Sequence, residues 1–551
     1  MVREYSIPRP AAAATELAAF CAGLRWADLA PAAQDRTREL LLDLLGVALG
    51  GSRQPSSGPA ARVARQLGAP EASHVPGQAS HAPGQASHPP QKASHAPAKA
   101  SHEPSQASHA DGQASHADGQ ASHAGPEASH VARSTRRASH RPEKASHAEL
   151  EASRAGLASV FGAGFSTSAV WAALANGTAA HALELDDVTT ESSLHPGVAV
   201  IPGAFALAES LAASPAALLE AVVAGYEVTM RVGNALNPAS AYARGFHPTG
   251  VAGVFGAAMA AGRLLGLDES RLTHALGIAG TLACGSLEYL SDGAWTKRLN
   301  PGWAGHAGIT AAYLAREGFS GPATALEGRL GLLRAYSDDP RPDRLLSALG
   351  QPLQVMRASI KPYACCRYNH GLIDCVLQLS REHQIAPEQV ERIRLGVLSG
   401  GAVLVATPIE HKRQPRSVVD AQFSAPFAAA AALVLGTGGL DAYAPAKLED
   451  PRIQALMART DCYTDPDLDA KYPVVWPAAA EIILRDGRTL KTRIEYMTGE
   501  PENPVPRPAL VAKFTSLAAG VVPDPEKLAE RILEVDLRET DLRGLGAALR
   551  G

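Results

Sequence analysis

A tandem repeat interrupts the chain and constrains how the rest of it can fold. Ala-Ser-His closes each seven-residue unit, and histidines recur at positions 74, 81, 88, 95, 102, 109, 116, 123 and 130, then at 140 and 147. A period of seven is typical of coiled coils, but no apolar a/d pair recurs, and Pro or Gly interrupts most units. Because this composition cannot bury enough apolar surface to offset chain entropy, we predict a disordered insertion over 74–153.

The repeat takes 11 of the 19 histidines, which leaves a short set in which to look for chemistry. A metal-binding or adhesive role of the repeat is an alternative to a repeat expansion without a selected ligand. The eight other histidines are His181, His195, His247, His274, His306, His370, His383 and His411. Their positions in apolar helical sequence suggest structural roles for His181, His274 and His383. His306 and His411 stay undecided.

Charge and cysteine content exclude several classes of protein. Lys and Arg number 51 against 55 Asp and Glu, whereas a protein that coats nucleic acid normally has a basic excess. Six cysteines without a CxxC pair argue against a disulfide scaffold, a zinc ribbon and a ferredoxin-type cluster. The uncharged stretches 155–183 and 421–440 are broken by polar residues, Pro or Gly, and no apolar signal segment follows the first charged residues. We therefore expect no membrane span and a cytoplasmic location.

The remaining sequence predicts a mainly α-helical protein with a smaller α+β part. Apolar residues recur at helical spacing after Pro31, and Ala- and Leu-rich sequence predicts helices over 203–235 and 304–317. Segments 391–399 and 480–497 instead alternate apolar and polar residues, and the second contains the hairpin signal Asp-Gly at 486–487.

These patterns divide the chain into four parts. We predict a large all-helical domain over 1–73 and 154–358, with the disordered insertion over 74–153. A smaller α+β lid domain is expected over 359–502, and C-terminal helices over 503–551 should return to the helical domain.

Two polar clusters place acidic and imidazole groups next to apolar helices. Asp186 and Asp187 precede His195 by a few residues, which could supply a proton acceptor with its orienting partner, or could form an acidic turn between two helices. His247 precedes a helix rich in small residues. There it could face an anion bound at the helix N-terminus, or it could cap the helix.

Two further clusters carry cations. Lys297 and Arg298 lie between apolar segments, where they could bind a carboxylate ligand or form a solvated turn. Lys361, Tyr363 and His370 fall within ten residues at the predicted domain junction, and clefts between domains are common places for ligands.

Taken in order, these clusters resemble the MmgE/PrpD family, which includes 2-methylcitrate dehydratases, cis-aconitate decarboxylases and iminodisuccinate epimerases. The matching motifs are NGTAAHALELDD at 176–187, HPG at 195–197, GFHPTG at 245–250, the Lys297 segment, KPYACCRYNHGLID at 361–374 and VVDAQFSAPFA at 418–428. The resemblance implies a homodimer with the active site between a helical domain and an α+β lid. It also implies that the site uses no iron–sulfur cluster, no other cofactor and no metal.

Matched position by position, the resemblance also implies which residues form the active site. The catalytic residues would be Asp187, His195, His247 and Lys297, and the substrate-binding residues Asp186, Lys361, Tyr363 (from the junction cluster) and His370. The two lysines would neutralise substrate carboxylates. His195 and His247 would act as base and acid in either order, and Asp187 would orient one of them.

The reaction implied first is that of a cofactor-independent hydro-lyase of the 2-methylcitrate dehydratase type. It would abstract a proton next to a carboxylate of a small di- or tricarboxylic acid. An epimerase or isomerase, or a decarboxylase of a related polycarboxylate, is the alternative. Two departures from the family pattern matter: Val188-Thr189 follows the two aspartates where many members read Thr-His, and Cys366 stands near a position at which decarboxylase-like members carry His. The second departure favours dehydration over decarboxylation.

Overall fold

The computed structural model describes residues 12–68, 156–534 and 542–551, so the predicted disordered insertion over 74–153 lies outside the described residues. The described chain is mainly helical with a few small sheets, which confirms the predicted fold class. Among these residues, no helix is both long enough and apolar enough to cross a bilayer.

The larger, N-terminal part consists mostly of helices. They are Ala13–Gly23, Pro31–Ser52, Ser57–Gly68, Ala169–Ala180, Pro196–Ser210, Pro215–Leu236, Pro238–Ala243, Pro248–Leu264, Glu269–Leu282, Thr296–Arg316 and Leu332–Tyr336. The later helices are His370–His383, Ser399–Val405, Ile409–Lys412, Val418–Gln422, Ala425–Leu435, Pro445–Leu448, Pro451–Met457, Pro466–Asp469, Arg507–Ala518, Pro525–Leu533 and Arg543–Arg550. The strands are Leu157–Val160, Phe165–Ser168, Val188–Thr189, Ala358–Ser359, Val390–Val397, Thr460–Thr464, Ala478–Leu484 and Thr489–Ile494.

The central helices pack closely because small residues line their contacts. A Cβ atom at Gly253 would lie 2.5 Å from the Cβ atom of Ala199, so the helix that carries Gly253 can approach its neighbour only without a side chain there. The stretch predicted to be helical over 203–235 is helical, and the structure divides it between helices Pro196–Ser210 and Pro215–Leu236. Ala212 has a φ of 52° and Ser214 caps a new helix at Pro215, so the chain forms two helices here.

The α+β part is built on one four-stranded sheet. Its strands lie in the order Thr460–Thr464, Val390–Val397, Ala478–Leu484 and Thr489–Ile494, and the first pair is parallel while the others are antiparallel. The last two strands form the hairpin predicted from the Asp-Gly signal, and Gly487 has a φ of 88° in its turn.

Two connections tie the α+β part to the helices. Strand Val188–Thr189, directly after the two aspartates, pairs antiparallel with Ala358–Ser359, directly before the junction cluster. Helix Arg507–Ala518 packs on helix Pro31–Ser52 so closely that a Cβ atom at Gly46 would lie 2.8 Å from the Phe514 ring. The acidic motif and the junction cluster are therefore held next to each other.

Candidate active site

Three helices begin at one cluster of polar side chains. His195 is the N-cap of helix Pro196–Ser210, His247 is the N-cap of helix Pro248–Leu264, and Lys297 lies in the first turn of helix Thr296–Arg316. Proline at the first position starts two of these helices. Because free N–H groups and the positive end of the helix dipole lie at each N-terminus, their convergence favours an anion.

Asp186 lies between two imidazoles. Its Oδ2 atom is 2.7 Å from His181 Nδ1 and 3.0 Å from His195 Nδ1, and its side chain has no exposed surface. Burial alone would raise the pKa of Asp186, but His181 and His195 outweigh burial and hold it well below the ordinary value. Asp186 is therefore an ionised carboxylate that accepts hydrogen bonds from both rings.

The hydrogen bonds of His195 determine which ring nitrogen carries its hydrogen. Nδ1 lies 2.9 Å from the backbone carbonyl oxygen of Asp187 and 3.0 Å from the carboxylate of Asp186. Both partners can only accept, so Nδ1 carries the hydrogen and Nε2 of the neutral ring is a free base. Burial lowers the pKa of His195 and outweighs the opposing effect of Asp186. The neutral form of the ring is therefore available.

His247 has the opposite tautomer. The side-chain amide nitrogen of Asn300 lies 3.1 Å from His247 Nδ1. An amide N–H donates, so Nδ1 accepts and Nε2 of the neutral ring carries the hydrogen. His247 is 2% exposed, and burial, together with nearby His181 and Lys297, lowers its pKa well below the ordinary value. His181 connects the two rings, with its centroid 4.9 Å from that of His195 and 5.8 Å from that of His247.

Two lysines face one carboxylate. Glu184 forms an ion pair with Lys297, and its Oε2 atom lies 3.9 Å from Nζ of the buried Lys361. Burial would raise the pKa of Glu184, but the two ammonium groups outweigh it and lower the pKa to about 2. Taken by themselves, the two lysines carry one positive charge more than Glu184 balances, and a substrate carboxylate could balance it.

A cavity of about 1200 Å³ opens beside this cluster. Glu184, Tyr289 and Lys297 belong to its helical wall, and residues of the α+β part between 403 and 423 form the opposite wall. The His247 ring lies 6.0 Å from that of Tyr289, which places the imidazole cluster next to the cavity. This volume exceeds what a small di- or tricarboxylic acid needs.

Five of the predicted site residues come together, namely Asp186, His195, His247, Lys297 and Lys361. Within this group only Lys297 lines the cavity, whereas Asp186, His195, His247 and Lys361 are not among its lining residues. Asp186 is fully buried against the His181 and His195 rings, so the structure gives it partners other than a substrate. Its buried position makes it the partner of the two histidines.

The Asp187 carboxyl group has partners other than His195. Its oxygens accept hydrogen bonds from the backbone nitrogen of Gly197 at 3.1 Å and from the hydroxyl group of Tyr226 at 2.9 Å. A Cβ atom at Gly197 would lie 2.3 Å from Asp187 Oδ1, so the glycine of the HPG motif makes room for this buried carboxyl group. Only the backbone carbonyl of Asp187 contacts His195, and the carboxylate that orients His195 is Asp186.

Tyr363 and His370 pack with each other inside the α+β part. The Tyr363 hydroxyl lies 2.5 Å from Asp374 Oδ1, and the His370 Nε2 atom lies 3.3 Å from the backbone oxygen of Cys365. Their ring centroids are 5.3 Å apart, and neither residue lines the cavity. The structure therefore gives them partners other than a substrate.

Three residues of the cluster were not identified from the sequence. They are Glu184, His181 and Asn300, and the structural interpretation of His181 placed that residue outside the site. Glu184 carried a signal that could have been used, because an acidic side chain within the apolar run Ala-Leu-Glu-Leu has to find a cation when it is buried. His181 and Asn300 carried no comparable signal.

His181, Asp186 and His195 could also be considered as metal ligands, since their donor atoms lie within 4.8 Å of one another. However, His195 Nδ1 donates to a backbone carbonyl, and a ring nitrogen that carries a hydrogen cannot ligate a metal. The hydrogen-bond pattern therefore favours proton transfer at His195 Nε2.

Comparison with known proteins identifies the family of the chain. The model of the MmgE/PrpD N-terminal domain matches residues 15–103 and 131–345, and that of the MmgE/PrpD C-terminal domain matches residues 363–539. The chain therefore belongs to the MmgE/PrpD family.

Several relatives are cis-aconitate decarboxylases or proteins named as similar to them. A cis-aconitate decarboxylase-like protein of Aspergillus oryzae is 29% identical over 374 residues, which are 65% of this chain and 77% of that protein. The cis-aconitate decarboxylase of Aspergillus terreus is 28% identical over 414 residues, 71% of this chain and 83% of that protein. The human cis-aconitate decarboxylase is 27% identical over 360 residues, 64% of this chain and 73% of that protein.

The buried Asp187 carboxyl group leads to a prediction about stability. Burial, with neighbouring Asp186 and Asp43, raises the pKa of Asp187 to about 8 against the opposing hydrogen bond from Tyr226. The folded chain thus keeps a proton that the unfolded chain loses above pH 4, so this group destabilises the fold increasingly as the pH rises from about 4 to about 8. Asp187→Asn should be more stable than the wild type by a margin that grows over that range and then stays level, measured as the urea midpoint.

The exposed Asp28 supplies the control for this measurement, and Asp28→Asn should change the urea midpoint little. A stability difference between Asp187→Asn and the wild type that shrinks between pH 5 and pH 8 would contradict a buried, protonated Asp187.

Proposed function

We propose that the chain is a cofactor-independent lyase that removes water from a small di- or tricarboxylic acid after abstracting a proton next to a carboxylate. One observation carries this proposal: His195 offers a free Nε2 atom while His247 offers an Nε2–H group. An elimination of water needs both, since a base must take the carbon-bound proton and a donor must assist the departing hydroxyl group.

Substrate binding would rest on the lysines and the helix N-termini. Lys297 and the buried Lys361 would bind carboxylates of the substrate, with Glu184 balancing part of their charge. When the proton leaves, negative charge develops on the adjacent carboxylate as an enediolate. Cations and N–H groups that are already oriented at that position stabilise this charge without reorganising.

The proposed elimination balances its atoms. His195 Nε2 takes the proton from the carbon next to a carboxylate, and the electrons of that C–H bond form the carbon–carbon double bond. The C–O bond of the hydroxyl group breaks while His247 Nε2–H donates a hydrogen bond to its oxygen. The proton held by His195 completes the water molecule, so both imidazoles end neutral. Asp186, in contact with Nδ1, would stabilise the imidazolium form of His195 in between.

Decarboxylation is the second candidate, favoured by relatives, 27–29% identical, that are named cis-aconitate decarboxylase or cis-aconitate decarboxylase-like. Loss of carbon dioxide requires a protonated group that delivers a proton to carbon. Decarboxylase-like members of the family carry a His near position 366, where this chain has a buried Cys366 whose pKa is raised by burial. A buried neutral thiol is a poor substitute for that imidazole, and dehydration is therefore the preferred reaction.

The test is a substrate screen with the purified chain. 2-Methylcitrate, citrate, cis-aconitate and iminodisuccinate would each be incubated in water and in deuterated water, and the products analysed by mass spectrometry. Loss of water from a hydroxy acid supports the proposal, and loss of carbon dioxide from cis-aconitate supports the second candidate. Deuterium uptake without either loss indicates an epimerase. Failure to convert any of the four acids contradicts a polycarboxylate lyase.

The pH profile should show one acid limb set by His195. Because burial lowers the pKa of His195, its Nε2 stays free to accept a proton down to a pH below the ordinary value of 6.5. We expect kcat/KM to be level around neutral pH and to fall only as the pH drops through that lowered pKa. Initial rates at limiting substrate between pH 4.5 and pH 8 measure this, and an acid limb centred above 6.5 would contradict the assignment.

Removal of residues 74–153 should leave catalysis intact. The residues of the proposed site all lie at or after His181, so the repeat contributes none of them. The measurement is kcat/KM of the shortened chain, with zinc titration of the full-length chain in parallel. Retained activity together with negligible zinc affinity would dismiss the alternative of a metal-binding or adhesive protein. Loss of activity in a folded shortened chain would mean that the insertion takes part in the site.

A further inference from the structure

We propose that Lys513, from the C-terminal part of the chain, is a positioning residue that holds the acidic motif and the junction cluster in the geometry needed for catalysis. This inference rests on the proposed function, because it concerns the same site. Lys513 lies on helix Arg507–Ala518 and contacts neither the cavity nor the imidazoles.

The Lys513 ammonium group donates to three acceptors from three separate segments. Nζ lies 2.6 Å from Asp43 Oδ1, 2.9 Å from the backbone oxygen of Leu185 and 2.8 Å from the backbone oxygen of Lys361. An ammonium group has three hydrogens, and each has one partner here. Lys513 therefore uses its whole donor capacity on this contact.

Two of the three acceptors belong to residues of the site or adjoin them. Leu185 stands between Glu184, which faces the lysines, and Asp186, which faces the imidazoles. The hydrogen bond to the Leu185 carbonyl group therefore holds the backbone between these two carboxylates. Glu184 adopts a φ of 56°, which a non-glycine residue keeps only when its surroundings hold it. The bond to the Lys361 carbonyl holds the second segment at the same point.

The third acceptor explains how the ammonium group can be buried. The Lys513 side chain is 12% exposed and the Asp43 side chain is fully buried, so each charge depends on the other. Asp43 lies on helix Pro31–Ser52, against which the Lys513 helix packs through Gly46 and Phe514. The contacts of Lys513 thus join the helical core to the two segments that carry Leu185 and Lys361.

The experiment compares three variants of the full-length chain. Lys513→Met removes the donors, and Asp43→Asn/Lys513→Met also removes the buried charge that would otherwise be left unpaired, so the double variant should fold. We expect kcat/KM to fall about a hundredfold in both, because a displacement of about 1 Å at reacting groups has that effect. Lys527→Met, at an exposed lysine of helix Pro525–Leu533, is the matched control and should keep wild-type rates.

Two further readouts separate positioning from stability. In Lys513→Ala, n-propylammonium added to the assay should restore part of the activity, whereas n-propanol, of similar size but without the ammonium donors, should not. Amide hydrogen exchange over 183–188 and 360–363 should accelerate in Lys513→Met relative to Lys527→Met. Folded variants with wild-type kcat/KM, absence of rescue by the amine, or unchanged exchange would each overturn the inference. A wild-type chain that converts none of the four acids would instead refute the proposed function. The exchange comparison would still test whether Lys513 holds the two segments in place.

Discussion

His195→Asn lowers kcat/KM by about a hundred- to ten-thousandfold, the range that general acid–base catalysis contributes, while the chain keeps its stability. Asparagine is one of the best N-cap residues, so helix Pro196–Ser210 retains its start. Its amide N–H can also donate to Asp186 in place of Nδ1. What it lacks is the basic Nε2 atom, so the loss of rate reports proton abstraction alone.

The measurement is steady-state kinetics on the acid identified in the substrate screen, with thermal unfolding of each variant alongside. His383→Asn is the control, since His383 is exposed at the end of helix His370–His383 and should leave the rate unchanged. A His195→Asn variant with a rate near that of the wild type would remove His195 from the base role and leave His247 as the remaining candidate.

Lys297→Met raises KM and lowers kcat/KM by about tenfold to a hundredfold, since a hydrogen bond to a charged group contributes about 1.5 to 3 kcal/mol. The substitution removes a partner for the substrate carboxylate and one of the two ammonium groups that offset the burial of Glu184. The pKa of Glu184 therefore rises from about 2, and the fraction of its carboxyl group that stays ionised repels an anionic substrate.

A double variant separates these two effects. Lys297→Met/Glu184→Gln restores the charge balance without restoring the ammonium group, so it should recover part of the loss in KM and little of the loss in kcat. Glu184→Gln alone should bind substrate as tightly as the wild type or more tightly. If the double variant binds substrate more weakly than Lys297→Met, Glu184 does more than balance the charge of the lysines.

The sequence patterns predicted the secondary structure best where a turn signal marks the boundary between two elements. The hairpin around Asp486 and Gly487 has a turn signal between two alternating segments, and it forms as predicted. The stretch 203–235 is helical as predicted, but in two pieces. Its Ala- and Leu-rich composition is continuous and does not show the break, where Ala212 adopts a positive φ before Pro215. The expected homodimer and cytoplasmic location stay predictions.

The composition of the candidate site followed from the sequence more readily than its geometry. The resemblance directed attention to the stretch around Asp186, but it could not distinguish the two adjacent aspartates. In the structure Asp186 contacts His195 Nδ1, and Asp187 packs against Gly197. Lys361 lies in the cluster because its Nζ atom is 3.9 Å from Oε2 of Glu184. The same junction motif also supplied Tyr363, which instead donates to Asp374 within the α+β part.

The sequence by itself determined which residue types are present, where helices begin, and to which family the motifs belong, because capping, turn and periodicity rules act over a few neighbouring residues. Tertiary structure alone decided the tautomers of His195 and His247, the charge balance around Glu184 and the contact of Lys513 with Leu185 and Lys361. The physical reason is that a ring tautomer, a shifted pKa and a shared hydrogen bond depend on groups brought together from distant parts of the chain, and no local pattern encodes that proximity.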